Sequence, residues 1–450
     1  MLHLAIEHNK FLMHYQIHDI KPLKPIFNGA NVKLSNNRFV KRLATVSGGA
    51  LLGQLFLVAS TPLLTRLYGV EIFGTYIILS SIANLIGSSA AGRYELALSL
   101  ADDEDVHHLL RLCIVLPLMM SLILMFPAIV FGGAISSAFG IETYQELLWT
   151  APVILFFSVI PLSFDFYNLR YDMPIRGGIG RTIQYSLQAI VQVAGGYLGF
   201  GLYALIAGIV FSTLARLLFF IFSISSEARW QLARLSWSRT VCVARKFWRF
   251  PALNASAALL ANFSQNATPL LLSYVGGAAL AGIYGGAMRI LNAPIRLLGN
   301  AATRVFVTEL RTAKSSSAIF LSSGTILGAA GALLYVPIVI AGPVLFTLLL
   351  GHGWGESGEY ARAMAPFLWI RLLLTPLGNA SNLFNGQKEN FLFGLVSGVL
   401  PLGVCGALLA AHYGGLTAIW FYSISSAVLG TIQLIWIYRR LVAHDRSKGV

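Results

Sequence analysis

Apolar residues in this chain come in long runs, not at the three-to-four spacing of a water-exposed helix or the alternation of a half-buried strand. A membrane-crossing helix needs about 20 mostly apolar residues. Twelve runs meet that requirement: residues 43–66, 73–92, 109–131, 148–168, 179–199, 202–225, 250–275, 280–305, 317–349, 361–384, 391–411 and 415–437. The connections between them are short. This pattern predicts an all-α integral membrane protein of twelve transmembrane helices. Several runs contain Pro or Gly, which neighbouring helices accommodate within a bilayer.

Composition agrees. Of 450 residues, 56% are hydrophobic and 11% charged, and mean hydropathy is +0.71. A water-soluble domain carries about 25% charged residues, so soluble classes are excluded. In a soluble protein the net charge of +14 would suggest a nucleic-acid partner. Here it reads as topology, because cytoplasmic loops collect Lys and Arg. With both termini inside, the cytoplasmic segments hold nearly all the cations outside the runs, and the opposite face holds only Arg66 and Arg362.

The most basic connection, EARWQLARLSWSRTVCVARKFWRF at residues 227–250, separates six runs from six. The expected organisation is a cytoplasmic tail (1–42), an N-terminal six-helix lobe (43–226), a basic linker (227–249), a C-terminal six-helix lobe (250–438) and a second cytoplasmic tail (439–450). Residues 1–42 lack the apolar core of a signal peptide. Their His3, His8, His14 and His18 read as solvated side chains rather than metal ligands. Cys113, Cys242 and Cys405 are too far apart for a disulfide framework or metal spacing. No metal and no cofactor is expected.

One stretch is written twice. TPLLTRLYGVEIFGTY at residues 61–76 returns as TPLLLSYVGGAALAGIY at 268–284, one residue longer. Each copy ends Gly-x-Tyr, and eight residues beyond each Tyr stands an Asn, Asn84 or Asn292. Six runs separate the copies, and an even number preserves orientation. The halves are therefore expected to be parallel repeats around a central path, an organisation used by transporters.

Polar groups inside the runs mark that path. In YGGAMRILNAPIRLLGNAATRVF (284–306), Arg289, Asn292, Arg296 and Asn300 share one helix face. In the equivalent second run, Ser81, Asn84, Ser88 and Glu95 do the same. Arg371 lies at mid-depth in the tenth run. Arg in a bilayer costs about 2.5–3.5 kcal/mol on insertion scales, so the two stripes are expected to face each other across a cavity. Guanidinium pairs suit a phosphate or diphosphate, and Asn and Ser suit sugar hydroxyls. Arg216 and Arg304 are expected to snorkel or to satisfy helix ends. Asp165, well inside the fourth run, either binds a coupling ion or pairs with Arg170.

GRYELALSLADDEDVHHLLRLC at 92–113 resembles the segment after the second span in polysaccharide transporters of the Wzx flippase type, within the MOP exporter superfamily. TRLYGVEIFGTY is similar to that family's first outer loop, and GGAMRILNAPIRLLGNAATRVF to its eighth helix. Val70 departs from the Pro expected there, which touches only the loop shape.

The resemblance implies two six-helix lobes opening alternately to either side and moving an undecaprenyl-diphosphate-linked oligosaccharide to the outer leaflet of the bacterial inner membrane. It also implies a cytoplasmic role for the Arg93–Glu95 motif and a monomer, with membrane lipid and the pathway's polymerase and glycosyltransferases as neighbours. No nucleic acid and no covalent chemistry are implied.

Two rivals share some of these features. A cation-coupled drug or metabolite antiporter of the same superfamily would suit an acidic cavity. An enzyme acting on lipid-linked sugars would need a larger outer domain than residues 132–147 or 350–360 supply. The second of these, with His352, Glu356 and Glu359, reads as a polar surface turn, and the acidic run Asp102–Asp105 as a solvated helix start.

Overall fold

The computed structural model describes residues 53–224, 236–312, 315–384 and 386–447. Among them there is no strand. Residues 53–59 lead into α1 (Thr61–Ile86). The first half continues with α2 (Asp103–Val130), α3 (Gly132–Phe139), α4 (Thr150–Arg170), α5 (Pro174–Tyr197) and α6 (Gly201–Ser223). A linker helix, α7 (Trp237–Lys246), precedes α8 (Ser256–Pro294) and α9 (Asn300–Thr312). The chain ends with α10 (Ser316–Leu350), α11 (Gly355–Leu377), α12 (Gln387–Ala410) and α13 (Gly415–Ser447).

Among the described residues, eight helical stretches are long and apolar enough to cross a membrane. The one containing α8 is two crossings joined at a kink; α1 beyond its kink is one crossing, and the run before that kink begins outside the described residues. The remaining two crossings, α5 and α11, fall short in apolarity because they carry Arg181, Gln184 and Gln188 in one and Glu359, Arg362 and Arg371 in the other. With them, the described residues are consistent with twelve crossings, the first of which lies partly outside them. Their ends differ from the apolar runs where polar residues extend a helix beyond the hydrocarbon: α2 begins at Asp103 and α13 continues to Ser447.

The kinks explain the repeat. Gly69 (φ 68°, ψ 174°) breaks α1, and Gly277 (φ 66°, ψ −168°) breaks α8 in nearly the same backbone conformation. That region is open only to glycine. The extra residue of the second copy is absorbed just before the kink, at Gly276 (φ −125°, ψ 17°). Beyond it the copies run in constant register, Val70 with Ala278, Gly74 with Gly282, Tyr76 with Tyr284 and Asn84 with Asn292.

The two copies also touch. A Cβ on Gly74 would lie 1.7 Å from the Ala278 carbonyl oxygen, and one on Gly282 would lie 2.2 Å from the Val70 carbonyl oxygen. Because 70 corresponds to 278 and 74 to 282, this is a reciprocal contact about a pseudo-two-fold axis, possible only where both residues lack side chains.

Hydrophobic packing follows the same geometry. At the kink end, one core includes Leu64, Phe73 and Ile154 of the first half and Leu272, Tyr284 and Met364 of the second. At the opposite end each half has its own core, one around Leu98, Leu109 and Phe220, the other around Phe306, Phe320 and Leu441. The halves are thus joined by continuous packing at one end and carry separate cores at the other.

Two polar segments are more structural than their composition suggests. The turn at 350–360 is not simply a surface turn. Its Trp354 is 1% exposed, donates its indole N–H to the Thr65 carbonyl at 3.0 Å, and stands edge-on to Phe73 at 5.6 Å. The acidic run begins α2 with Asp102, Asp103 and Glu104 mostly exposed, but Asp105 is buried and paired. Together these residues clamp α7. Lys246 bonds Asp105 at 2.6 Å and Asp102 at 3.2 Å, Arg239 pairs with Glu104, and His108 Nδ1 meets Thr240 Oγ1 at 2.9 Å.

Candidate functional site: a cationic cavity between the halves

Below the Gly74–Gly282 contact lies a cavity of about 900 Å³ bounded by α1, α5, α8, α11, α12 and α13. This is the upper part of the range that encloses a drug-sized ligand. Three arginines line it, Arg289, Arg296 and Arg371, and among the described lining residues there is no Asp, Glu or Lys.

The kink in α8 positions the first two. It starts a fresh helix at Ala278, so Arg289, Asn292 and Arg296 descend one face toward the cavity. Arg289 donates through Nη2 to the Leu57 carbonyl at 3.4 Å, and its guanidinium stands 5.8 Å from the Phe73 ring centroid. Arg371 donates to Gln265 Oε1 at 3.4 Å and stands 5.7 Å from Phe367. These ring distances are within the reach of cation–π attraction. Arg296 lies within electrostatic reach of both other arginines and of Tyr185. Three like charges converging in a low-dielectric site repel one another, and an anion held among them relieves that repulsion.

The expected residues separate into groups. Arg289, Asn292, Arg296, Arg371 and Asn84 come together around the cavity, as does Ser81. Ser88 does not line it. At Gly87 (φ 46°, ψ −134°) α1 gives way to a 3-10 segment, Gly87–Ala91, and the helical spacing that placed Ser88 and Glu95 on the Asn84 face stops there. Glu95 is instead fully buried beyond the end of α1, 3.1 Å from Arg93, whose backbone is left-handed (φ 58°). The side chain of Asn300 lies outside the described residues. Arg304 is exposed.

Asp165 is occupied, but not by Arg170. It accepts from Arg216 at 2.6 Å and Arg181 at 2.8 Å, while Arg170 pairs with Asp103 at 2.7 Å and the Leu98 carbonyl at 2.9 Å. Arg170 closes the end of α4 and is turned toward α2, whereas Asp165 faces α5 and α6. Arg216 therefore does not snorkel. It is buried, and also donates to Gln184 Oε1 at 2.7 Å. This network lies inside the first half, outside the cavity lining.

The cavity also uses Tyr76, Ser80, Gln188, Ser264, Gln265 and Asn266, which no charge signals. The run NFSQNATP at 262–269, polar inside an apolar stretch, was the available clue for the last three. Gln188 had none.

The sequence profile of the family described as "Polysaccharide biosynthesis protein" matches residues 63–358. The chain belongs to this family. The teichuronic acid biosynthesis protein TuaB of Bacillus subtilis (strain 168) is 24% identical over 269 residues, 56% of this chain and 55% of TuaB. The aligned stretch thus spans about half the length of that relative.

Among solved structures, the lipid II flippase MurJ in an inward closed conformation superposes with a TM-score of 0.65 at 12% identity, covering 89% of this chain and 90% of MurJ. An inward-facing multidrug resistance MATE transporter of the MOP superfamily gives 0.63 at 14% identity, covering 87% and 95%. A MOP superfamily transporter from Pyrococcus furiosus, described as having a binding pocket of reverse polarity, gives 0.54 at 15% identity, covering 89% and 95%. At such identities the likeness establishes the fold. This member of the polysaccharide biosynthesis family is a multi-pass membrane protein with the MOP transporter architecture.

Proposed function

We propose that this protein flips a polyprenyl-diphosphate-linked oligosaccharide from the cytoplasmic to the outer leaflet of the bacterial inner membrane, by alternating access and without covalent chemistry. The observation that carries this reading is the cavity lined by Arg289, Arg296 and Arg371 with no acidic residue among its described lining. A diphosphate matches that charge, and guanidinium forks bind it through paired hydrogen bonds. The amides and hydroxyls of Asn84, Ser81, Gln188 and Asn292 suit a glycan.

Orientation follows from charge. The end away from the kinks carries Arg93, Arg170, Arg176, the basic α7 and Arg439, Arg440 and Arg446, whereas the kink end carries Arg66 and Arg362. The kink end faces outward on the positive-inside rule, both termini are cytoplasmic, and this conformation is sealed on the outside. The head group enters the cavity from the cytoplasmic leaflet while the lipid tail stays in the bilayer. Outward movement of an anion is favoured by an inside-negative potential, by about 2.3 kcal/mol per charge per 100 mV.

The test follows the lipid-linked repeat unit in cells. Replacing Arg289 and Arg371 by Glu is expected to abolish surface polysaccharide and to trap the repeat unit on the cytoplasmic leaflet. Normal export by that variant refutes the proposal. Normal export together with lost resistance to a cationic dye such as ethidium favours a drug antiporter.

A further inference from the structure

The cavity is chemically lopsided in a way the repeat makes measurable. In the register established beyond the kinks, Asn84 corresponds to Asn292, but Ser81 corresponds to Arg289 and Ser88 to Arg296. The two halves are related by a pseudo-two-fold axis through the Gly74–Gly282 contact. The cavity-facing stretch is therefore uncharged in the first half, where it ends at the Gly87 break, and doubly cationic in the second, where it continues through Arg296. The third lining arginine, Arg371, is also in the second half, on α11. The described lining of the first half is uncharged: Tyr76, Ser80, Ser81, Asn84 and Gln188.

We propose that the two halves divide the substrate: the C-terminal half holds the diphosphate, and the N-terminal half reads the sugars. This rests on the flippase reading and deepens it. All three arginines are carried on helical segments of the second half; Arg371 is held by that half's own Gln265 and Phe367, whereas Arg289 also reaches across to the Leu57 carbonyl and the Phe73 ring of the first half. When the halves rock apart, the anionic group stays with one rigid body. The opposite wall offers donors and acceptors without charge, as suits hydroxyl and acetamido groups, which vary between glycans while the diphosphate does not. Sugar preference thus changes through Ser80, Ser81, Asn84 and Gln188 at no cost to the anion grip.

The decisive experiment exchanges the unequal pair. Arg289→Ser alone is expected to lower export, and binding of polyprenyl diphosphate to protein in nanodiscs, by about tenfold or more. Adding Ser81→Arg restores the cavity's net charge but moves it across the axis. If the halves divide the substrate, the exchanged protein stays as defective as Arg289→Ser. If export returns to the wild-type level, net charge alone matters and the division is overturned while the flippase reading stands.

A second measurement guards against a misfolded exchange variant. In Asn84→Ala with Gln188→Ala, polyprenyl diphosphate is expected to bind as in wild type, while the added affinity of a polyprenyl-diphosphate-linked disaccharide is lost. Equal loss for both ligands overturns the division. Failure of wild-type protein to bind polyprenyl diphosphate, with normal export by Arg289→Ser, overturns the flippase reading itself.

Discussion

Gly74→Ala is the sharpest perturbation the fold offers. The new methyl group would lie 1.7 Å from the Ala278 carbonyl oxygen, where ordinary contact begins at 3.4 Å. The obstacle is backbone, so no rotamer change relieves it. The halves must part by about the difference, roughly 1.7 Å, at the end where their core is shared. Overpacking of this kind costs about 1–3 kcal/mol, which shifts a two-state equilibrium by about 5–150-fold toward conformations with the kink end open. Gly282→Ala meets the Val70 carbonyl at 2.2 Å and acts in the same direction more weakly. Because both press on one gap, their effects combine less than additively.

The assay is pulsed electron–electron resonance between spin labels at Leu198→Cys and Tyr413→Cys. Both sites are exposed, at 70% and 55%, at the kink end of opposite halves, and exposed Cys242 is replaced by Ser. The distance distribution is expected to lengthen and broaden in Gly74→Ala. It should be unchanged in Gly328→Ala, where a methyl group meets nothing within 4 Å. An unaltered distribution in Gly74→Ala, with unaltered thermal stability, would refute the claim that this contact seals the halves.

Other outcomes follow from the same contacts. Trp354→Ala removes a buried indole and its bond to Thr65, and should lower stability in detergent by about 3–5 kcal/mol, read from unfolding by heat or denaturant; a loss under 1 kcal/mol would contradict its place in the core. Arg216→Met leaves the largely enclosed Asp165 with only the more exposed Arg181 and should destabilise far more than Arg181→Met, since a broken buried pair costs up to about 3–5 kcal/mol. Equal effects would mean that Arg216 is not the main partner.

Above neutral pH, linker docking should weaken only at the alkaline end. The Asp105 carboxylate, with Asp102, holds the Lys246 ammonium above the ordinary lysine value of 10.5. Its contribution is therefore complete below that value and is lost as pH rises beyond it. Protease cutting within residues 236–249 should stay constant from pH 7 to about 9, and Lys246→Met should raise it throughout. A change near neutral pH in wild type would point to His108 instead.

Much of this protein was legible before any tertiary contact was known. Lipid imposes a length and an apolarity on every crossing, so the helices follow from the apolar runs along the chain, and the charge of the connections supplies the orientation proposed above. The repeated TPLL segment carried the two-lobe symmetry, and the spacing of Arg289, Asn292 and Arg296 carried one wall of the cavity, because a straight helix keeps its faces. Reading failed where the backbone stopped being a straight helix. Gly87 turned Ser88 and Glu95 off the face that Asn84 occupies.

Pairing of buried charges was equally out of reach. Asp165 is five residues from Arg170 but bonds Arg181 and Arg216, because helix packing, not sequence distance, decides which side chains meet. Trp354 looked like part of a surface turn until its partners in α1 were in view. Lipid acts on each helix separately, so a single chain records its demands. The close approach of Gly74 to Gly282 and the unequal charge of the two cavity walls are properties of two halves brought together, and only the assembled fold defines them.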